Sequence, residues 1–339
     1  MPRLVTLRDI AAQAGVSHVT VSLALRNAPK ISAPVRERIH RIAQALGYKG
    51  NPALAAWMRR QRLRGQSPTG ETIAYLNPFP DHATWQIPSS ITRFHAGAKA
   101  RAEELGYGWD DVWHRRDKLS PDRLNAILQA RGIRGVIVGS ARRARAHLRL
   151  DWQRLAAIAQ GMTLLRPELP RACNNYYATA TKLLRRLNKL GYRKIGLYLF
   201  EDTNVRCEQM WAASYLVHRP TGPGTAAIPP GFGPDHDRRS FEKWLRRHRP
   251  DALISSEATV YRWLLEMGVQ MPQEMGFASL DWHPTQAWSG ASGMDHRIEL
   301  CGGAAVDFLT GRLERNELGQ SPFPETIMTP AMWNPGKTT

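Results

Sequence analysis

Cysteine is scarce in this chain, and long apolar runs are absent. The three cysteines, Cys173, Cys207 and Cys301, are far apart and form no CxxC or Cys/His spacing that would indicate zinc. We therefore expect no metal site and three reduced, buried thiols, as in a cytosolic protein. Because there is neither an apolar signal region nor a run of about 18 apolar residues, the sequence predicts a soluble, cytoplasmic protein without membrane contact.

Sequence motifs of catalysis are also lacking. No GxSxG, Walker, GxGxxG or HExxH pattern occurs, so we expect neither an enzyme nor a bound cofactor. We interpret two pairs of adjacent carboxylates, Glu103 with Glu104 and Asp110 with Asp111, as solvated groups on a helix end and in a loop. The hydrophobic content of 42% is enough for globular packing, and a length of 339 residues favours two or three domains.

Acidic residues are few relative to basic ones. The chain has 29 Asp and Glu against 47 Lys and Arg, a formal net charge of +18. The first 64 residues hold twelve of the basic and two of the acidic residues, whereas the other 275 carry a net charge of +8. Concentrated positive charge is the electrostatic footprint of a polyanion partner, although charge alone leaves open a basic surface with no partner.

The most informative stretch is residues 6–58, whose first half predicts two short helices. Thr6 followed by Asp9 is a variant capping box that opens a helix, and Gly15 ends it in the left-handed conformation. Ser17 is suited to cap the second helix. The core side of that helix would carry Val21, Ala24 and Leu25.

A third helix follows, with Ser32 as its expected cap. Apolar residues recur there at i, i+4, i+7 and i+11 and form one stripe: Val35, Ile39, Ile42 and Leu46. Two helices joined by a short glycine turn are the layout of a helix-turn-helix, which places its second helix in the DNA major groove. The alternative is a small three-helix bundle with no role in DNA binding.

These motifs resemble a known family. The order V-T-L-R-D-I-A, A-G-V-S, T-V-S, I-S, R-E-R-I and L-G-Y in residues 5–48 resembles the headpiece of the lactose-repressor (LacI/GalR) family. Residues 51–58 resemble the hinge helix of that family. The resemblance implies a helix-turn-helix DNA-binding headpiece over residues 1–49, followed by a hinge helix and linker over residues 50–71.

From residue 72 onward, short apolar runs alternate with helical patterns. Apolar runs at residues 72–77, 135–140, 194–199, 252–255 and 276–280 predict parallel strands covered by helices on both faces. The patterns L-G-Y-R-K-I at residues 190–195 and M-P-Q-E-M-G at 271–276 resemble the effector domain of the same family. That resemblance implies a two-lobed, periplasmic-binding-protein-like α/β effector-binding and dimerisation domain over residues 72–339, after an all-α headpiece.

The resemblance places base contacts at the start of the second helix. His18 is a hydrogen-bonding side chain there, whereas Val19 and Leu23 can contact only thymine methyl groups. The alternative for Leu23 is simple packing. Polar side chains near these positions suit phosphate contacts. The full set expected to contact DNA is Thr6, Ser17, His18, Val19, Thr20, Ser22, Leu23, Asn27, Ser32, Asn51, Leu54, Trp57 and Met58.

Trp57 stands where the family has a leucine that enters the minor groove at the operator centre. An apolar wedge of this kind unstacks a base step and bends the duplex. Met58 is a second candidate for this role. The alternative is that Trp57 packs hinge against hinge, or hinge against the effector domain.

Polar and aromatic residues at strand ends are the candidates for ligand binding, since ligands of open α/β sheets lie there. By strand-end position or by the resemblance they are Asn77, Ser140, Asn175, Arg206, Glu257, Asp281, Trp282 and His296. Each of them, taken singly, could instead be a solvated loop residue or a helix cap. One departure is that equal spacing puts Glu208 where the lactose repressor has a ligand-contacting arginine, with Arg206 two residues earlier.

The expected function is that of a DNA-binding transcriptional regulator controlled by a sugar or related metabolite. Repression is the expected direction of regulation. Its expected partners are double-stranded operator DNA, the small-molecule effector and a second copy of the chain, with a tetramer left open. An effector-independent or activating regulator of the same fold is the alternative. A solute-binding protein and an enzyme are disfavoured, and nucleoid association is expected.

Overall fold

The computed structural model describes residues 5–25, 31–46, 48, 71–86, 89–114, 117–141, 144–220, 225 and 227–339. Several predictions from the sequence fall outside these residues. They concern the hinge and linker, and the DNA contacts assigned to Asn27, Asn51, Leu54, Trp57 and Met58.

The headpiece contains three helices, α1 (Leu7–Ala14), α2 (His18–Leu25) and α3 (Ala33–Ala45). The capping box of α1 is confirmed: the Thr6 hydroxyl accepts from the Asp9 N–H, and the Asp9 carboxylate accepts from the Thr6 N–H at 2.7 Å. Gly15 ends α1 with φ of 64°, in the left-handed region. The Ser17 hydroxyl accepts from the Thr20 N–H at 3.0 Å and so caps α2.

The prediction for Ser32 needs correction. Ser32 occupies the N-cap position of α3, but its side chain makes no capping hydrogen bond. Pro34 in the first turn favours the helix start instead, because its ring presets φ and it lacks the N–H that a cap would satisfy. The apolar stripe of α3 is confirmed, since Ile39 is fully buried and Val35, Ile42 and Leu46 pack around the same core.

The first lobe is built on a six-stranded parallel sheet in the order β13-β7-β5-β3-β1-β2. Its strands are β1 (Thr72–Leu76), β2 (Gly108–Val112), β3 (Gly135–Val138), β5 (Ala156–Gln160), β7 (Arg171–Asn174) and β13 (Thr326–Thr329). A small parallel pair, β4 (Ala146–His147) and β6 (Leu164–Arg166), accompanies it. The helices of this part are α4 (His82–Gln86), α5 (Ser90–Glu104), α6 (Pro121–Ala130) and α12 (Ile298–Arg315).

The second lobe has a sheet in the order β14-β12-β11-β10-β8-β9, parallel except for β14. Its strands are β8 (Ile195–Phe200), β9 (Gly231–Gly233), β10 (Ala252–Ser255), β11 (Gly276–Trp282), β12 (Ser292–Asp295) and β14 (Met332–Asn334). The helices along this part of the chain are α7 (Tyr176–Lys189), α8 (Glu201–Arg206), α9 (Met210–His218), α10 (Arg238–His248) and α11 (Ala258–Glu266). The two-lobed α/β architecture predicted from the sequence is confirmed.

The chain passes between the two sheets three times. The crossovers lie between β7 and α7, between β12 and α12, and between β13 and β14. They follow the carboxyl ends of β7, β12 and β13, so polar residues at strand ends collect between the lobes. The three cysteines are buried and form no disulfide, as expected. None of the described helices combines the length and apolar composition needed to cross a membrane.

Candidate nucleic-acid interface and ligand cleft

The first turn of α2 presents His18 and Val19 to solvent, and 53% of Val19 is exposed. An apolar side chain so exposed on a small basic domain is available for contact with a partner. Leu23, one turn further along, is half-buried. Among the described residues it is not one of the side chains that pack against the headpiece core, which favours a surface role over the packing alternative.

Two of the hydroxyl groups expected at phosphates, those of Thr6 and Ser17, already accept from backbone N–H groups. Thr6 and Ser17 are exposed caps, and the Ser17 and Thr20 hydroxyls lie 2.9 Å apart. Ser22 is half-buried and Ser32 is exposed at the start of α3. These caps leave the first N–H groups of α1 and α2 ordered at the surface, which is the arrangement that helix ends use to contact phosphates.

The two lobes meet at a carboxylate from β11. The hydroxyl of Ser90, at the start of α5 in the first lobe, donates to both oxygens of Asp281 at 2.8 Å. Next to this contact, Arg93 donates to Asp295 at 3.2 Å and also to Glu299. Asp281, predicted as a ligand contact, is therefore the acceptor of a hydrogen bond between the lobes.

An aromatic group lines the second-lobe side of the cleft. The ring of Tyr176 lies 5.2 Å from that of Trp211 and 6.2 Å from that of His296, and Trp211 and His296 stack at 6.3 Å. His296 is only 1% exposed, and its Nε2 lies 3.9 Å from the Asp281 carboxylate. Burial lowers the pKa of His296, so its ring is neutral at neutral pH and presents one donor and one acceptor.

Two further ionisable side chains lie near Asp281. Glu257 begins α11 and accepts from the Ser256 hydroxyl at 2.9 Å, and burial raises the pKa of its carboxyl group. Arg206 ends α8 beside Tyr176 and Cys207, and burial raises the pKa of the Cys207 thiol. The cleft thus contains a carboxylate, a carboxyl group that is costly to ionise, and a guanidinium.

Several polar atoms in this region are buried without a hydrogen-bond partner. They are Asn77 Nδ2, Asn174 Oδ1, Asn204 Oδ1, Arg206 Nε and Trp211 Nε1. An unsatisfied buried polar group costs roughly 1–3 kcal/mol, so a folded protein rarely contains many of them near each other. A ligand with several donors and acceptors would supply the missing partners.

The structure does not bring every predicted ligand residue into this cluster. Asn175 caps α7 by accepting from the Ala178 N–H at 3.0 Å, and Ser140 is buried with its hydroxyl 3.2 Å from that of Thr163. Trp282 lies apart from the cluster, because it packs against the core around Phe277 and lines a separate groove of about 280 Å³.

Sequence reasoning also missed part of the cluster. Tyr176 and Trp211 were not predicted, and neither was Ser90, because each lies on a helix whose packing brings it to the cleft. Asn174, the last residue of β7, adjoins the predicted Asn175, which caps α7 instead. The sequence offered one signal for Tyr176: it is an aromatic residue that directly follows an Asn pair and starts a helix.

Comparison with known proteins shows what the headpiece is similar to. Residues 6–51 match the family described as bacterial regulatory proteins, lacI family. An HTH-type transcriptional regulator of Mycolicibacterium smegmatis is 30% identical over 197 residues, which are 58% of this chain and 51% of the relative. Another, from Mycobacterium tuberculosis, is 33% identical over 139 residues, 41% of this chain and 36% of the relative. The chain spans about half the length of the first of these relatives, and less of the second.

Solved structures support the fold of the whole chain. A complex of the transcriptional regulator CelR with cellobiose has a TM-score of 0.59 at 15% identity, covering 99% of this chain and all of the other. The lac repressor dimer bound to operator and the anti-inducer ONPF has a TM-score of 0.55 at 18% identity, covering 99% of each chain. At these identities the likeness concerns the fold alone.

Proposed function

We propose that this chain, whose residues 6–51 match the lacI family of bacterial regulatory proteins, is a DNA-binding transcriptional regulator controlled by a small ligand. The observation that carries the proposal is the cluster of unpartnered polar atoms between two lobes, in a chain that begins with a helix-turn-helix. Repression is the proposed direction, and catalysis is not part of it. The proposed domains are residues 1–49, 50–71 and 72–339.

The proposed ligand is a sugar or a related polyhydroxyl metabolite. Neighbouring hydroxyl groups suit a carboxylate such as Asp281, and the flat C–H face of a sugar packs on aromatic rings such as Tyr176 and Trp211. The similar regulator CelR was solved with cellobiose, and the lac repressor with ONPG. The raised pKa of Glu257 adds a group that can donate to a ligand oxygen when protonated.

Control would operate through the contact between the lobes. A ligand that takes the Asp281 carboxylate competes with the Ser90 hydroxyl, so the liganded and free lobe arrangements differ in free energy. A ligand shifts such an equilibrium only by its difference in affinity for the two states. We propose that this shift reaches the DNA-binding residues through residues 50–71.

We also propose a homodimer. Helix α9 exposes Leu216 (49%) and Val217 (67%), and the Tyr177 hydroxyl lies 3.1 Å from His218 at the end of the same helix. An exposed apolar surface of this kind is typical of a subunit interface. A two-fold dimer would present two copies of α2 to a pseudo-palindromic site.

Selection of genomic DNA fragments by the purified full chain tests the function. We expect enriched fragments to share two inverted half-sites, and addition of one sugar from a screened panel to release them. Enrichment without a common sequence, at a salt concentration near 150 mM, would contradict a sequence-specific regulator. Binding that no sugar or nucleoside alters would contradict the ligand control alone.

Substitution of Asp281 by asparagine is expected to weaken binding of the releasing sugar at least about tenfold, because a hydrogen bond to a charged group contributes roughly 1.5–3 kcal/mol. Calorimetric titration measures the change. Ser90→Ala is the matched control: it removes the hydrogen bond between the lobes and keeps the carboxylate, so sugar affinity should hold or rise. Equal losses in both variants would mean that Asp281 acts only through the lobe contact.

Trp57→Ala is expected to lower affinity for the operator more than for random DNA and to reduce the bend of the operator. Val19 and Leu23 give α2 little hydrogen-bonding capacity, so more of the specificity would come from deformation at the operator centre. His18→Ala should instead relax preference at one position of each half-site. Titrations of operator and random duplexes, with a bending assay, separate these effects. Equal weakening of both duplexes with an unchanged bend would make Trp57 a packing residue.

A further inference from the structure

One face of α7 carries four cations that the cleft does not use. Lys182, Arg185, Arg186 and Lys189 stand at i, i+3, i+4 and i+7, so they share one side of the helix over two turns. All four are exposed, while the opposite side of α7, including Leu183 and Leu187, is buried in the second-lobe core. The cations border a groove of about 310 Å³ whose floor is formed by Met294, Ala331 and Trp333.

Contacts within the protein hold the side chains around the floor of the groove in place. The guanidinium of Arg186 lies 5.6 Å from the ring centroid of Trp333, within the range of a cation–π contact. Lys182 Nζ donates to the Ala331 carbonyl at 3.4 Å, which holds the ammonium at one end of the groove. The indole N–H of Trp333 is buried and has no hydrogen-bond partner. The groove therefore combines positive charge with an aromatic surface.

These charges have no acidic partner among the residues that the structure describes. Within the described residues no Asp or Glu forms an ion pair with any of the four, whereas Arg238 and Arg246 on α10 pair with Glu242. Cations in the last turn of a helix complement its dipole, which accounts for Arg186 and Lys189. It does not account for Lys182 and Arg185, which lie further from the carboxyl end of the helix.

We propose that this groove binds a small phosphate ester, with the phosphate held by Arg185 and Lys189 and the organic part against Trp333. Arginine and lysine are the usual partners of phosphate groups. The volume lies at the lower end of the range of about 300–1,000 Å³ typical of small-molecule sites. The row of cations spans only about 10 Å along the helix, too short for the phosphate track of a nucleic acid duplex. The proposal does not depend on the function of the cleft.

The test uses the full chain and three probes: glucose 6-phosphate, adenosine monophosphate and inorganic pyrophosphate. Glucose and adenosine are the uncharged controls. We expect at least one phosphate ester to bind with millimolar or better affinity and to slow hydrogen exchange at residues 176–190 and 331–335. Binding of pyrophosphate alone would mean that the groove holds any compact anion, and would overturn the assignment to an ester.

The variant Arg185→Gln/Lys189→Gln is expected to lose at least about tenfold in affinity, since charge-assisted contacts to a phosphate contribute more than neutral ones. Lys243→Gln/Arg247→Gln on α10 removes the same charge at the same i, i+4 spacing from exposed side chains. The basic headpiece is intact in both variants, so any binding of phosphates by the headpiece contributes equally to the two measured affinities. Equal weakening of the two variants, or protection confined to residues 5–46, would overturn the proposal.

Discussion

Replacement of Gly302 by alanine is expected to destabilise the chain by roughly 2–3 kcal/mol, the cost of overpacking a closed contact. Helices α5 and α12 approach so closely that a β-carbon on Gly302 would overlap the Phe94 carbonyl oxygen and lie 2.7 Å from the Ala98 nitrogen. The contact is reciprocal, since a β-carbon on Gly97 would overlap the Glu299 backbone. Backbone atoms stand on both sides, so the helices must separate and expose buried apolar surface of the first lobe.

Gly303→Ala is the matched control. It lies one residue further along α12, where a β-carbon would meet only the Arg101 side chain at 3.8 Å. Alanine is better than glycine in a helix interior by about 0.5–1 kcal/mol, so Gly303→Ala should be neutral or stabilising. Urea unfolding of both variants measures the difference. Similar stabilities for the two would show that α5 and α12 are not in close backbone contact in solution.

The headpiece was predictable because its signals are local. Each of these signals acts within three or four residues of chain. The Thr6–Asp9 capping box, the left-handed Gly15 and the Ser17 cap all occur as the sequence predicts. Ser32 shows the limit of this reasoning. The sequence identified the correct N-cap position, yet the hydrogen bond is absent where a proline follows two residues later.

Strand prediction identified five interior strands but missed three others, β5, β7 and β12, together with the strands at the edges. The central strands β1, β3, β8, β10 and β11 are apolar because both of their faces are covered. The edge strand β2 reads Gly-Trp-Asp-Asp-Val, and the interpretation of Asp110 and Asp111 as loop residues was wrong. Both carboxylates have partners on neighbouring segments, since Asp110 pairs with Arg131 and Asp111 lies 2.6 Å from His95.

The sequence predicted individual residues of the candidate cleft, but not which of them lie together in space. Strand ends pointed to Asp281 and His296, which the structure places 3.9 Å apart. Strand-end position could not separate Trp282 from Asp281, because neighbouring residues of a strand face opposite sides of the sheet. Tyr176 and Trp211 depend on how α7 and α9 pack, which no short sequence pattern encodes. The ligand assignments of all these residues stay predictions.

Raising the salt concentration from about 50 to 200 mM is expected to weaken DNA binding by roughly a thousandfold or more, as for a protein that neutralises about six to ten phosphates. Twelve of the first 64 residues are Lys or Arg, and two of these, Arg38 and Arg41, are exposed on α3. Each basic side chain at a phosphate releases condensed cations, so the logarithm of the affinity falls linearly with the logarithm of the salt concentration.

The slope of that line identifies the side chains responsible. In a dimer Arg41→Gln removes two charges, so the slope should fall by up to about 2 while sequence preference is kept. Lys243→Gln/Arg247→Gln removes four charges from α10 of a dimer, and should leave the slope unchanged if only headpiece charges contact DNA. Titrations at four salt concentrations, with the selected operator and a random duplex, measure both. A flat salt response would refute the headpiece interface. Only side chains in direct contact with phosphates should change the slope when they are substituted. A slope that falls with the α10 variant would therefore show that the basic surface as a whole, and not the headpiece alone, attracts DNA.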